Sequence, residues 1–428
     1  MKKIIVAGAG HGGLCAAIHL AKAGYDVTVC ERQKREQMGY DWFDAVGRSL
    51  FESAGLPEPP EGSMLPFYEM RYYSPDLLTS ITKAGTGGGI RFMDRKVLIR
   101  YLLSLAEAAG VKLLFEKNIT GVVASGSSIL GIRLEDGGQL LGDLVIDAAG
   151  VDSPVRSALP EACGIQKTVP YEDRIVIYRA YFNRACPGVT DPRYNIYFYH
   201  CGKPGMDWMI TEDDFIDILI GGFEKLSQED IDTALADFRG RFPYIGDTVV
   251  RGGTVASIPL RKTLGIIVAD GYAAIGDSAC MTEPLSGSGI TLSMRAGKLL
   301  ADTLLAAGGD TSAKTLWRYQ YKYFRAYGNG NLTMDIARKI LKDLSTDDVD
   351  AFLTKEILTM KEIAGGEKYT AGDLYKKATG IFSMPQIFRP LLRSGGRLAN
   401  MNAVCDAMPP QYDPAAVRAW ASRYEKEL

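Results

Sequence analysis

Excess charge of one sign and long apolar runs are both missing from this chain of 428 residues. Its 49 lysines and arginines are balanced by 51 aspartates and glutamates, for a formal net charge of −2, which provides no electrostatic basis for binding nucleic acid. No apolar run approaches the roughly 18 residues that span a bilayer. The N-terminus, rich in glycine from Gly8, lacks the features of a signal peptide. We therefore expect a cytoplasmic protein without a transmembrane segment, for which peripheral contact with a membrane stays open.

Cysteine pairs and histidines are also sparse. The seven cysteines are an odd number, widely scattered and without a Cys-x-x-Cys pair, which argues against a disulfide framework and against a metal site. Three histidines leave little material for a histidine-based catalytic triad. With 46% hydrophobic and 23% charged residues, the composition is that of a globular protein, and the length suggests about two to three folding units.

The strongest local signal is a strand, a glycine turn and a helix at the N-terminus. The β-branched run IIVA (residues 4–7) precedes GAGHGG (residues 8–13), and a helical segment follows. Gly8 permits the tight turn, Gly10 lets the backbone approach a pyrophosphate, and Gly13 lets the helix lie close to the strand. The helix N-terminus would supply amides and positive potential to the phosphates.

An acidic residue ends the next strand, residues 26–30. Glu31, with Arg32 beside it, can accept hydrogen bonds from both ribose hydroxyls of an adenosine, and its charge repels a 2′-phosphate. The unit therefore predicts an adenine dinucleotide other than NADP. The alternative is a tight turn in a plain βαβ unit.

Two later blocks again run from a strand into a loop. DLVIDAAG (residues 143–150) continues into VDSPVR, and YAAIGDSA (residues 272–279) continues into CMTEPLSGSGI (residues 280–290) and a helix. In the second of these blocks a glycine-rich loop feeds a helix N-terminus, where the backbone favours negative charge. Between the N-terminal motif and these blocks, Arg95 begins an amphipathic helix.

Taken together, these blocks resemble the FAD-binding signature of flavoproteins related to para-hydroxybenzoate hydroxylase. Within that superfamily, the PLSGSGI loop and the helix after it are most similar to the geranylgeranyl reductase branch. The resemblance implies an α/β fold: a Rossmann-like, GR2-type FAD-binding domain, an inserted antiparallel-sheet substrate domain and a helical C-terminal region. It implies FAD as the cofactor and NAD(P)H or another reductant as the electron donor. The cofactor-binding residues that it implies are Gly8, Gly10, Gly13, Glu31, Arg32, Arg95, Gly150, Gly276, Asp277, Pro284, Gly287, Ser288, Gly289 and Ile290.

Three of these residues receive individual roles from the resemblance. Glu31 would hold the adenosine ribose, Arg95 would lie near the FAD phosphates or ribityl chain, and Asp277 would bind the ribityl chain and pyrophosphate. For Asp277 the plain alternative is a turn aspartate. For Arg95 it is a solvated arginine at a helix start.

The loop in residues 280–290, just before the helix that follows it, would face the flavin. Amides of Gly287, Ser288 and Gly289 would lie near the flavin pyrimidine, where a helix N-terminus stabilises the negative charge of reduced flavin. Pro284 would shape the loop against the ring system. Pro284, Gly287 and Cys280 are the flavin-facing candidates, although the default for an unpaired cysteine such as Cys280 is a buried small hydrophobe. No catalytic residue is identified from the sequence.

Three departures from the family pattern bear on function. Ala149-Gly150 replaces the Asp-Gly of many hydroxylases and so lacks a carboxylate linked to handling of pyridine nucleotides, which disfavours direct docking of NADPH. Residues 38–42 lack the cysteine and two glycines of the reductase branch, and residues 206–210 keep only part of its aromatic substrate motif. We therefore expect a substrate different from those of the best-known members.

Alternating tyrosine, isoleucine and phenylalanine in residues 174–184, 194–200 and 214–223 predict antiparallel strands, with a helix at about residues 228–239. We expect a discontinuous FAD-binding domain (1–168 and 255–310), a substrate domain (169–254) and a helical C-terminal region (311–428). Tyr197, Tyr199 and Trp208 are the candidate substrate contacts. Residues 85–89 are interpreted as a flexible loop, and the basic segment 390–408 as a solvated face rather than a membrane contact.

Three functions fit these observations. In the first, reduced FAD passes a hydride to a carbon–carbon double bond of a hydrophobic or conjugated small molecule, and a nearby acid protonates the other carbon. In the second, a flavin monooxygenase hydroxylates an aromatic or enone substrate in a dry cavity. In the third, the chain only binds FAD or a lipid. The intact loop at 284–289 favours an enzyme over a binding protein. The block at residues 272–290 favours the reductase over the monooxygenase. An electron-donor protein is a further expected partner.

Overall fold

The computed structural model of the protein describes residues 1–65, 69–83, 90–187, 194–212, 214–223, 225–355, 400 and 403–426. The strands are β1 Lys3–Ala7, β2 Asp26–Cys30, β3 Phe43–Gly47, β4 Met64–Leu65, β5 Met70–Tyr73, β6 Ser80–Lys83, β7 Ile90–Asp94, β8 Lys112–Leu114, β9 Ile119–Ser125, β10 Ser128–Leu134, β11 Gln139–Leu141, β12 Leu144–Asp147, β13 Arg174–Arg184, β14 Tyr194–Phe198, β15 Met206–Thr211, β16 Phe215–Gly222, β17 Ile245–Pro259, β18 Val268–Ala269 and β19 Tyr272–Ala274. The α-helices are α1 His11–Lys22, α2 Leu50–Ser53, α3 Arg95–Ala108, α4 Pro154–Ser157, α5 Gln228–Arg241, α6 Ile290–Ala306, α7 Ala313–Tyr323, α8 Asn329–Lys342, α9 Thr346–Thr354 and α10 Pro414–Lys426.

The first sheet has the strand order β18-β19-β12-β1-β2-β8, and all of its pairs are parallel except β18 with β19. Its central strands are continuous apolar runs, as expected for a parallel sheet that is covered on both faces. Helix α1 lies very close to this sheet, because a Cβ atom on Gly13 would be 2.7 Å from Cβ of Ala148. This dinucleotide-binding sheet confirms the expected Rossmann-like unit.

The second sheet has seven strands in the order β17-β13-β16-β15-β14-β5-β6. Its pairs are antiparallel, apart from the parallel pairing of β14 with β5. Helix α5 covers one face, where Ile231, Leu235 and Phe238 pack against isoleucines of β16. The opposite face lines a cavity together with the start of α1, and Phe43 of the small sheet β3-β7-β4 packs against Tyr181 of β13. The α/β fold class with an inserted, mainly antiparallel sheet is confirmed.

The boundaries of the inserted sheet differ from the expected ones. Strands β5 and β6 fall within the stretch assigned to the FAD-binding domain, yet they form an edge of the second sheet through β14. At the other edge, β17 continues to Pro259, beyond the expected end at residue 254. Pairing between distant strands depends on backbone hydrogen bonds that leave no local pattern in the sequence.

The C-terminal region packs helices around aromatic side chains. A π-helical turn, Phe324–Gly328, joins α7 to α8, and Trp317, Phe324 and Trp420 form edge-to-face contacts in the core. Residues 85–89 and residues 390–399 of the basic segment lie outside the described residues. Among the residues that the structure describes, no helix has both the length and the apolar character needed to cross a bilayer.

Candidate active site

Two adjoining cavities lie where the first sheet meets the second. The glycine cleft, with a volume of about 260 Å³, runs from Gly10 at the start of α1 to Gly289 at the start of α6. The aromatic cavity, of about 410 Å³, lies beneath the second sheet. The loop residues Leu285–Ile290 separate the two, and Gly287, Gly289 and Ile290 line both.

The N-terminus of α1 opens directly into the glycine cleft. Its N-cap is Gly10, which has no side-chain cap, and the first helical turn carries no acidic residue. A Cβ atom at Gly10 would have only Ala148 O, at 3.2 Å, within 4 Å. The first amides of the helix are therefore free of side-chain acceptors and accessible to an anionic group.

Glu31 lies at the end of β2, where it ties the glycine turn to the following loop. Its carboxylate accepts hydrogen bonds from the backbone N–H groups of Ala9 (3.0 Å) and Gln33 (2.9 Å). Arg32, beside it, points into solvent. The carboxylate is thus fixed beside the glycine turn, although neither residue lines the cleft itself.

Arg95 is held in an ion pair rather than solvated at the start of its helix. Its Nε and Nη2 atoms donate to the two carboxylate oxygens of Asp44 at 2.5 and 2.7 Å. The guanidinium lies 5.2 and 5.4 Å from the ring centroids of Tyr40 and Trp42. Burial lowers the pKa of Arg95, but Asp44 outweighs it and the net pKa is raised. Arg95 lines both cavities.

Asp277 lies in the turn between β19 and α6, and it faces the glycine cleft. It accepts a hydrogen bond from the Thr282 hydroxyl at 2.8 Å. Burial raises its pKa, and Thr282 and Arg95 counteract that effect in part. Helix α6 begins at Ile290 after the N-cap Gly289, with no side-chain cap and no acidic residue in its first turn. A second open helix N-terminus therefore meets the same cleft as that of α1.

Most of the residues predicted to bind the cofactor come together here. Those that line the glycine cleft are Gly10, Gly13, Arg95, Gly150, Gly276, Asp277, Gly287, Gly289 and Ile290, and Ser288 lines the aromatic cavity.

Two of the predicted flavin-facing residues do not reach either cavity. Pro284 is buried, and its neighbour Leu285 occupies the cavity wall. Cys280 is fully buried in the core, where burial raises the pKa of its thiol to about 12. Cys280 adopts φ +56° at the end of the Asp277 turn. Gly287 is the only one of the three candidates that lines the cavities.

The alternation of side chains on β14 decides which substrate candidates face the aromatic cavity. Tyr194, Ile196 and Phe198 line it, whereas Tyr197 points to the α5 face and packs against Phe238. The prediction for Tyr197 therefore differs from the structure. Tyr199 escapes the alternation because its backbone is left-handed, with φ +48°, and it lines the cavity.

Trp208, the third substrate candidate, lies on β15 where the two cavities join. A buried ion pair lies beside Trp208, and it is not predicted from the sequence. Arg179 donates to both carboxylate oxygens of Asp217, at 2.9 and 2.5 Å, and its guanidinium lies 5.2 Å from the Trp208 ring. The signal in the sequence is weak: Asp217 is the single charge of β16, whereas β13 carries three arginines, of which Arg179 is the central one.

His11 also acquires a place in the glycine cleft. Among the described residues its Nε2 atom is buried without a hydrogen-bond partner. Burial lowers the pKa of His11 to about 3, so the imidazole is neutral at pH 7. A polar group bound in the cleft would satisfy this buried atom.

These features fit FAD: an open helix N-terminus for the pyrophosphate, a fixed carboxylate at the end of β2, and a second helix N-terminus beside the aromatic cavity. Fold and site thus define an FAD-binding oxidoreductase. The chain belongs to the FAD dependent oxidoreductase (DAO) family, whose sequence model matches residues 59–303, more than half of the chain. A model of NAD(P)-binding Rossmann-like domains matches residues 6–43. The prediction of FAD as the cofactor is confirmed.

Similar proteins carry reductase names. A digeranylgeranylglycerophospholipid reductase of Sulfolobus acidocaldarius is 25% identical over 392 residues, which cover 87% of this chain and 84% of that protein. One from Methanothrix thermoacetophila is 27% identical and covers 82% and 90%. These similarities confirm the resemblance to the geranylgeranyl reductase branch.

Solved structures share the fold. A geranylgeranyl bacteriochlorophyll reductase-like protein from Thermoplasma acidophilum has a TM-score of 0.74 at 18% identity, covering 92% of this chain and 99% of that one. The probable FAD-dependent monooxygenase pqsL of Pseudomonas aeruginosa has a TM-score of 0.59 at 23% identity, covering 80% and 97%. The fold therefore accommodates both chemistries, and the site must distinguish them.

Proposed function

We propose that the protein reduces a carbon–carbon double bond in a hydrophobic, isoprenoid-like or conjugated substrate, with FAD as its redox cofactor. The observation that carries this proposal is the shared wall between the two cavities. Gly287, Gly289 and Ile290 line both, so a substrate in the aromatic cavity lies directly beside the loop at the start of α6. Hydride transfer requires such contact between substrate and flavin.

The chemistry of the aromatic cavity favours an unsaturated hydrocarbon. Its wall combines aromatic rings with aliphatic and methionine side chains, including Tyr72, Tyr194, Ile196, Phe198 and Met334. Of the charged groups in its lining, Arg95 and Arg179 are each paired with an aspartate, and Glu283 accepts a hydrogen bond from the Ser286 hydroxyl. The cavity therefore offers extensive apolar contact with few uncompensated charges, as sites for small hydrophobic ligands do.

The residues that would hold FAD follow from the geometry. The amides at the start of α1 would bind the pyrophosphate, Glu31 the adenosine ribose, and Asp277 the ribityl chain. Nε2 of His11 would gain a partner among the polar atoms of the cofactor. Bound FAD, when reduced, supplies a hydride to the substrate.

The protein must also deliver a proton to the second carbon. Tyr72 is the candidate, because it lines the cavity and its hydroxyl donates to the weak acceptor Sδ of Met70, at 3.2 Å. Burial raises the pKa of Tyr72 to about 12, so the phenol stays protonated at neutral pH. At the shared wall, the N-terminus of α6 stabilises negative charge beside the substrate.

The names of the similar proteins support an isoprenoid lipid as the substrate class, since the relatives from Sulfolobus and Methanothrix are digeranylgeranylglycerophospholipid reductases. Such a substrate would bring the protein to a membrane surface from the cytoplasm. The electron donor would be NAD(P)H or a reduced donor protein. The Ala149-Gly150 sequence, which lacks a carboxylate, favours a donor that does not dock as NADPH does in the hydroxylases.

Anaerobic reoxidation of the reduced holoenzyme tests the reaction. The flavin is reduced chemically without oxygen, and its absorbance is followed after addition of geranylgeranyl lipids, enones or air. Reoxidation by an alkene, together with a product two hydrogens heavier, supports the reductase. If only oxygen reoxidises the flavin and the product gains a hydroxyl group, the protein is a monooxygenase and the proposal is wrong.

Three variants connect the reaction to the aromatic cavity. Ile196→Trp fills the cavity and should slow reoxidation by alkenes at least tenfold without weakening FAD binding. Its matched control, Tyr197→Phe on the neighbouring position of β14, faces α5 and should react like the wild type. Tyr72→Phe should slow product formation with little change in substrate affinity. If all three variants reacted at the wild-type rate, the substrate would bind elsewhere.

A further inference from the structure

A second group of reactive side chains lies on the α5 face of the second sheet, opposite the aromatic cavity. His200 and Cys201 belong to the turn after β14, and Asp237 lies on α5. Nε2 of His200 is 2.9 Å from a carboxylate oxygen of Asp237. With the sulfur of Cys201, these donor atoms all lie within 4.8 Å of one another.

The turn after β14 places these donors by an unusual backbone path. Tyr199 and Cys201 both have left-handed φ angles, +48° and +55°. This path directs the His200 ring inward, where its centroid lies 4.4 Å from that of Phe238, and leaves Cys201 exposed. The three donors therefore form a group with a buried imidazole on one side and solvent on the other.

A buried carboxylate fixes the orientation of the imidazole. Nδ1 of His200 lies 2.8 Å from Asp207, whose other oxygen accepts a hydrogen bond from the backbone N–H of Gly221 at 3.0 Å. With the Nδ1 proton donated to Asp207, Nε2 faces Asp237 and Cys201; in the metal-free protein its proton is donated to Asp237, and zinc would take the place of that proton. A carboxylate behind one imidazole nitrogen and an open donor at the other is the usual arrangement of a metal-binding histidine.

We propose that His200, Cys201 and Asp237 bind one zinc ion, with water as the fourth ligand. Imidazole nitrogen, thiolate sulfur and carboxylate oxygen are the three ligand types that zinc accepts. Bond lengths of about 2.0–2.3 Å in a tetrahedron require donors about 3.3–3.8 Å apart. The Nε2–Oδ2 pair must widen slightly, and the exposed Cys201 must turn inward, changes that side-chain rotation provides. The scattered cysteines without a Cys-x-x-Cys pair predicted no metal site, and the sequence does not show that His200 meets Asp237, 37 positions away.

Two competitors must be displaced for zinc to bind. Arg241 donates to the same Asp237 oxygen at 2.5 Å. Burial, followed by the nearby carboxylates of Asp237 and Asp207, raises the pKa of Cys201 to about 11, so its thiol is protonated at neutral pH. On binding, the S–H bond of Cys201 and the Nε2–H bond of His200 break, Zn–S and Zn–N bonds form, and both protons leave to solvent without any redox change.

Zinc bound here would connect the turn after β14 to α5. Tyr199 precedes the ligands directly, lines the aromatic cavity and donates a hydrogen bond to the Leu341 carbonyl of α8. The metal would thus fix the backbone of a cavity residue, although its ligands lie outside the active site. It is expected to change stability more than the redox chemistry.

Titration of metal-free protein with zinc chloride, followed by calorimetry, tests the site. One zinc per chain is expected, and Cys201→Ser should weaken binding at least tenfold. The matched control is Cys186→Ser, which removes another exposed cysteine and should bind as the wild type does. Asp207→Asn, which removes only the carboxylate behind the imidazole, should weaken binding by about 10–100-fold.

Cobalt supplies a second readout that does not depend on folding energetics. Wild-type protein loaded with cobalt should show a thiolate-to-metal charge-transfer band that disappears in Cys201→Ser and persists in Cys186→Ser. The proposal is overturned if no stoichiometric metal binds. It is also overturned if the cobalt band is missing, or if Cys201→Ser binds zinc as tightly as the wild type.

Discussion

Replacing Asp217 with leucine would leave the guanidinium of Arg179 inside the protein without its carboxylate. Both side chains are almost completely buried, with exposures of 4% and 3%, and two hydrogen bonds join them. The third partner of Arg179 is the carbonyl of Phe43, at 2.5 Å, which cannot neutralise its charge. The variant therefore carries an unpaired positive charge at the junction of the two cavities.

The magnitude follows from the burial of both groups. Removing one partner of a buried ion pair costs about 3–5 kcal/mol, because the remaining charge stays desolvated. Replacing both partners with apolar residues of similar size removes that charge, so the double variant Arg179→Met/Asp217→Leu should recover most of the loss. The double variant should also keep the packing of position 179 against Trp208.

Urea unfolding of the wild type and of the single and double variants, followed by circular dichroism, measures these differences. We expect the wild type and the double variant to have similar unfolding free energies, and Asp217→Leu to have a lower one. Two outcomes would refute the reasoning. One is a single variant within about 1 kcal/mol of the wild type, and the other is a double variant as unstable as the single one.

Three further predictions concern the cofactor site and the α5 face. Gly10→Ala adds a methyl group in the path of the pyrophosphate and should weaken FAD binding at least tenfold in a flavin fluorescence titration, whereas Gly240→Ala, with open space around it, should not. Glu31→Gln removes the charge on the ribose acceptor and should weaken FAD by about tenfold; unchanged affinity would exclude it from the adenosine site. Burial lowers the pKa of His200, but its bonds to two aspartates outweigh this and raise it above 6.5. The stability that protonated His200 contributes is therefore complete below pH 6.5 and is lost as pH rises through the higher folded-state pKa. In urea unfolding with EDTA, the difference in unfolding free energy between the wild type and His200→Gln should shrink as pH rises. A difference that stays constant with pH would contradict this prediction.

Local patterns carried much of the cofactor site. A glycine turn between a buried strand and a helix must place its amides at one edge of a parallel sheet. The positions of Gly10 and Gly13 in the site could therefore be predicted from the sequence alone. The same holds for Glu31 at the next strand end and for Asp277 before α6. In each case strand, turn and helix are neighbours along the chain, and their geometry is set by nearby residues.

The aromatic cavity was less accessible to prediction. Period-two alternation indicated the strands, but which face of β14 met the flavin side depended on its pairing with β5 and β15. Tyr197, a candidate substrate contact from the sequence, therefore lies on the α5 face in the structure. The left-handed backbone of Tyr199, which returns that residue to the cavity, has no signature in a non-glycine sequence.

By itself, the sequence determined the dinucleotide-binding unit, the family resemblance and FAD as the cofactor, because these depend on short segments with steric requirements at fixed spacing. Only the tertiary structure decided which charges are paired, since Arg179 and Asp217 meet across two strands 38 positions apart. It likewise removed Pro284 and Cys280 from the cavity wall and brought His200 to Asp237. Contacts between distant segments arise from packing of the whole chain, and no local pattern records them.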